Sequence, residues 1–135
     1  MKRLTTILIL SLLIVAFLFS SCKDQGVNDN AIGIIKQSEA DWEVGITWEK
    51  FLSKAAGLEG NIKWKAFAAD ENKSQLRAVE VNIIKNNKSA VDTLWIQWQV
   101  NTETRFSKIA YFTINGIPQS LQSGIYTLER WTMEN

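Results

Sequence analysis

Thr93-Leu94-Trp95-Ile96-Gln97-Trp98-Gln99-Val100 alternates without a break. Leu94, Ile96, Trp98 and Val100 fall on one side, and Thr93, Trp95, Gln97 and Gln99 on the other. Side chains of an extended chain point to opposite faces in turn, so this stretch predicts a strand with one buried face. Three other segments keep the same rhythm. Ile62 to Ala68 alternates; Arg77 to Ile84 sets Val79, Val81 and Ile83 against Ala78, Glu80 and Asn82; Phe106 to Ile114 completes the set. Polar turns separate them at Asp70–Ser74, Lys85–Ser89 and Asn101–Thr104, and Asn115-Gly116 ends the last. Short strands joined by tight turns predict a four-stranded antiparallel meander.

One sheet face needs cover, and the segment before the strands supplies it. Trp48, Phe51, Leu52 and Ala55 recur at i, i+3, i+4 and i+7, the spacing of one helix face, while Glu49, Lys50, Ser53 and Lys54 take the other. Thr47 fits an N-cap and Gly57 a C-terminal stop. The fold class expected is therefore α+β, an N-terminal amphipathic helix packed on the meander. Ile32-Gly33-Ile34-Ile35 is an apolar patch that docks the start of the domain. The tail reads two ways. Ser123-Gly124 opens a helix burying Ile125, Leu128 and Trp131 or Thr132, or the same residues make a fifth strand; the helix is preferred.

The chemistry is bounded by what is missing. The 135 residues contain no histidine and one cysteine, Cys22. Ser-His-Asp and Cys-His nucleophile systems and the common zinc sites are excluded. No Gly-rich phosphate loop is present, and no cofactor is implied. The carboxylates Glu39, Asp41, Glu43, Glu49, Glu80, Glu103 and Glu129 are scattered, with no spacing that brings two together for acid–base work. These features argue against an enzyme, a small hydrolase being the last of the readings.

The N-terminus carries an address. Met1-Lys2-Arg3 is basic, Ile7 to Phe19 is apolar apart from Ser11, and Ser20-Ser21-Cys22 follows. That is the tripartite pattern of a secretion signal, and the run is short of the roughly 20 residues a membrane-spanning helix needs. Phe19-Ser20-Ser21-Cys22 resembles the lipobox of bacterial lipoproteins, in a loose form similar to that of the Bacteroidota. The resemblance implies that residues 1–21 are cleaved and that Cys22 carries the lipid. It places the protein on the cell membrane or outer membrane, with its domain in the periplasm or at the cell surface. Residues 22–30, polar except for Val27, are then expected to be a flexible lipidated tether, and residues 31–135 one small domain. With Cys22 lipidated, no disulfide is possible, so a packed core that includes several of the six tryptophans must hold the domain. Cleavage removes two of the 15 basic residues and none of the 14 acidic ones, leaving a formal charge of −1. There is no basic stripe for a nucleic acid.

The helix-then-sheet order, with Trp64-Lys65-Ala66-Phe67 opening the sheet and Tyr111-Phe112-Thr113-Ile114-Asn115-Gly116 closing it, is similar to small uncharacterised bacterial lipoprotein domains. Three aromatics are out of phase with the core: Phe67, Trp95 and Tyr111. In the simplest meander they share the outer face. Either the tail or the segment around Ile32 covers that face as a second small core, or the face is left open to dock an envelope protein or a glycan. A structural or accessory subunit of an envelope complex is the alternative role. Asp92-Thr93-Leu94 resembles the O-glycosylation motif of exported Bacteroidota proteins, with Thr93 as acceptor.

Overall fold

The computed structural model describes residues 24–40, 45–86 and 90–134. Among the described residues, three helices lie on one side of a five-stranded antiparallel sheet. Helix α1 covers residues 24–37, α2 Trp48–Ala56 and α3 Leu121–Met133. The strands are β1 (Asn61–Ala68), β2 (Leu76–Asn86), β3 (Val91–Asn101), β4 (Ser107–Ile114) and β5 (Ile117–Pro118), each paired with the next in chain order. The expected α+β meander is thus present, with one more strand and one more helix.

The extra strand follows from Asn115-Gly116. Both residues have positive φ, 51° and 75°, which suits a two-residue hairpin turn whose twist matches the flanking strands. Ile114 and Ile117 pair across it. The tail beyond is a helix. Ser120 caps it by accepting a hydrogen bond from the Ser123 amide, and the helix buries Gly124, Leu128 and Trp131. Ile125 and Thr132 are only half-buried. Helix α2 is as expected, with Thr47 accepting from the Lys50 amide and Gly57 at φ 75° beyond its last turn.

The tether reading needs correction. Residues 24–30 are helical and continuous with the Ile32–Ile35 patch, making one helix. Polarity alone misses this because α1 is amphipathic. Ala31, Ile34 and Ile35 reach the core, while Asp24, Gln25, Asp29 and Asn30 stay exposed. Tertiary contact then orders residues too polar to order themselves.

The core lies between the helices and the inward residues of β2, β3 and β4. Val79, Val81, Ile83, Leu94, Ile96, Trp98, Val100 and Phe112 meet Leu52, Ala55, Leu128 and Trp131 there. Trp98 is the centre of its aromatic part: Trp48 meets it edge-on at 5.2 Å and Trp64 stacks on it at 6.0 Å. A bulge between Gln97 and Trp98 shifts the β3–β4 register, so that Trp98 pairs with Ile109 and Gln97 with Tyr111. The additional residue, Ala110, lets both Ile109 and Phe112 pack inward.

Two glycines in helices separate propensity from packing. A methyl group at Gly33 meets nothing within 4 Å, whereas one at Gly124 lies 2.6 Å from the Phe112 ring. Gly33→Ala is expected to stabilise the fold by about 0.5–1 kcal/mol through helix propensity. Gly124→Ala should destabilise it by about 1–3 kcal/mol, since overpacking outweighs the same propensity gain. Urea denaturation of the two variants checks both signs.

Candidate functional site

The described helices cover one face of the sheet. Ala31, Leu52 and Leu128, one from each helix, join the same core cluster as the inward strand residues. Helix α3 packs on α2 and β4, away from the outer face. No described element covers the outer face, so the expectation that the tail or the Ile32 segment would do so is not met. The reason is that their apolar residues complete the first core.

On that outer face the rows run across the sheet. Lys63, Asn82, Trp95 and Thr113 are aligned in one; Lys65, Glu80, Gln97 and Tyr111 in the next; Phe67, Ala78, Gln99 and Lys108 in a third. Trp95 and Tyr111 are brought together, their ring centroids 5.1 Å apart and their planes at 64°. Trp95 is half-buried and Tyr111 is 43% exposed. Phe67 is not part of this pair. It stands two strands and two rows from Trp95, half-buried, with the Lys65 ammonium 5.7 Å from its ring centroid. Beside the pair, the Gln97 amide donates to the Glu80 carboxylate at 2.9 Å. An aromatic centre is thereby set among charged and amide side chains.

Thr93 is exposed at the start of β3. Its amide donates to Asn115 Oδ1 at 2.8 Å and its hydroxyl lies 3.4 Å from the same oxygen, while Asn115 Nδ2 donates to Asp92 at 3.1 Å. The Asp92-Thr93 pair therefore braces the Asn115-Gly116 turn. Cys22, Asp41 and Glu43 lie outside the described residues.

The carboxylates remain dispersed. Glu49 pairs with Lys36 at 3.0 Å, Glu80 with Gln97, Glu103 is at the β3–β4 turn and Glu129 on α3. Among the described residues no group of three or more acidic or thiol side chains is placed to hold a metal ion. A shallow groove of about 730 Å³ runs along α3 past Leu121, Ile125 and Tyr126, with Glu129 its one ionisable carboxylate.

Two features escaped the sequence reading. The inward face of β2 carries a cation at each end, Arg77 and Lys85, both 3% exposed. Arg77 binds Asp24 of α1 at 3.1 Å and lines a cavity of about 460 Å³ with Leu76, Val100, Phe106 and Lys108. Its Nε is buried without an acceptor, as is Asn28 Oδ1 without a donor, one helical turn beyond Asp24. Lys85 donates to the Trp131 carbonyl and the Glu134 carboxylate, each at 3.2 Å, with the Trp131 ring 5.4 Å away. The phase of β2 could have revealed them, since Arg77 and Lys85 share parity with Val79, Val81 and Ile83.

Comparison with protein-family models, with curated proteins and with solved structures finds no match.

The Trp95–Tyr111 contact is measurable. A double-mutant cycle on Trp95→Ala and Tyr111→Ala is expected to give a coupling of about 0.5–1.5 kcal/mol in urea unfolding. A coupling of zero would mean that the two rings are independent.

Proposed function

We propose that this chain is a membrane-anchored envelope lipoprotein, held by lipid on Cys22, whose domain docks a protein partner through the open face of its sheet. The Trp95–Tyr111 pair, on a face that no described element covers, carries this reading. Contiguous apolar surface rimmed by polar residues marks contact sites. The surroundings favour a protein over a glycan. Protein interfaces have an aromatic centre within a polar rim. Here Gln97, Asn82 and Glu80 lie beside Trp95 and Tyr111 on the sheet, with Lys63 and Lys65 one strand further. A long-lived form of the same contact makes the protein an accessory subunit of an envelope complex. No catalytic step is assigned.

A photo-crosslinking residue in place of Gln97, in the full-length lipidated protein in its native membrane, tests the docking face. The expected product is a discrete protein adduct that disappears in the Trp95→Ala/Tyr111→Ala variant and is not formed from a probe at Lys50 on α2. Equal adducts from both positions, or a glycosidase-sensitive smear at position 97, would overturn it. The anchor is tested separately. Cys22→Ser should leave an unlipidated, uncut precursor by intact mass; a processed protein that still floats with membranes would refute lipid attachment there.

A further inference from the structure

The helix that begins the described chain sets the distance between the anchor and the sheet. Residue 24 is already helical, and Asp24 is clamped to the buried Arg77 at 3.1 Å. Cys22 lies two residues earlier, at most about 7 Å along the chain. Arg77 pairs with Val100 across β2 and β3, and Val100 pairs with Ser107 on β4. The β3–β4 turn therefore lies at the same end of the sheet as Asp24.

That turn is built to project. The Asn101 side chain accepts hydrogen bonds from the Glu103 and Thr104 amides at 3.0 and 3.1 Å, and the Asn101 amide donates to the Phe106 carbonyl at 2.8 Å. Arg105 takes a left-handed conformation, φ 58°, which a non-glycine residue adopts at a cost. The result holds Phe106 outward at 64% exposure, with Arg105 before it and Lys108 beyond. An aromatic ring flanked by long cationic side chains suits the boundary between headgroups and acyl chains, where the ring enters and the cations reach back to phosphate. The nearby charges, Lys73, Arg105 and Lys108 against Asp70, Glu71 and Glu103, balance, so attraction by net charge is not the driving term.

We infer that the end of the sheet bearing the 101–106 turn rests on the phospholipid surface, with Phe106 inserted. This inference rests on the lipid anchor at Cys22. The strands then rise from the membrane, and Trp95, aligned with Asn82, stands about 17 Å further along the strands than Arg77, on a face that looks sideways. The docking partner is accordingly itself close to the membrane.

The lipidated protein has no free thiol once Cys22 is modified, so one introduced cysteine takes a fluorophore uniquely. Phe106→Cys and Leu58→Cys are labelled in separate preparations and placed in phosphatidylethanolamine–phosphatidylglycerol vesicles carrying a quencher just below the headgroups. Leu58 is fully exposed near the opposite end of the sheet, since the adjacent Glu59 carbonyl accepts from Asn86. Quenching at position 106 is expected to exceed that at 58 by about threefold or more. Equal quenching, or more at 58, in protein that carries lipid by mass and floats with vesicles overturns the orientation. Protein that carries no lipid and does not float refutes the anchor reading, and the orientation with it. A label at Thr104, keeping Phe106, checks the ring itself. Phe106→Ser should lower its quenching by about twofold, and no change would overturn insertion.

Discussion

Arg77, Val79, Val81, Ile83 and Lys85 succeed one another on the inward face of β2, all at 3% exposure or less. Alternation fixes which face of the strand is buried, because a slip of one residue would bury Glu80 and Asn82. Alternation alone does not prevent a slip of two. The two cations do, since a slip of two would carry Arg77 or Lys85 into the middle of the apolar stripe. A buried charge without its partner costs several kcal/mol. At the sheet ends each charge finds a helix: Arg77 finds Asp24 of α1, and Lys85 finds the Trp131 carbonyl and Glu134 at the end of α3. The last carbonyls of a helix carry partial negative charge, which adds to the fit at Lys85. Register, helix placement and the span of the core thus depend on one strand.

One-sided cover follows from the same stripe. The apolar residues of three helices suffice for one face of the sheet, and no described apolar segment remains for the other. The outer face keeps its lysines, amides and the Trp95–Tyr111 pair. If the helical start of the chain sits close to the lipid, that face is carried upright at a fixed height instead of swinging on a stalk. A surface presented in this way loses less orientational freedom on docking than one at the end of a flexible tether.

The strands were legible because their signal is local. Period two in Arg77–Ile84 and Thr93–Val100 needs no knowledge of the rest of the chain. The same holds for α2, whose apolar spacing, Thr47 cap and Gly57 stop lie within a dozen residues. Helix α1 was not legible from polarity. Its apolar residues are few and Gly26 and Gly33 lower its helix propensity, so its order comes from contact with the core. Strand β5 is two residues long and was visible only through the Asn115-Gly116 turn that makes it. Of the candidate face, the out-of-phase aromatics could be named in advance. That Trp95 meets Tyr111 while Phe67 stands apart depends on strand register.

By itself, the sequence determined the α+β class, the strand phases and the lack of histidine and of any second cysteine, because each is a property of residues close together or of composition. Tertiary structure decided that the N-terminal polar segment is a helix, that the tail joins the first core, and that Arg77 and Lys85 are buried counterparts of distant carboxylates. Those outcomes pair residues 46 or more positions apart, Asp24 with Arg77 and Lys85 with Trp131 and Glu134. No local pattern encodes such a pairing; it exists only once the sheet has brought its two ends to the helices.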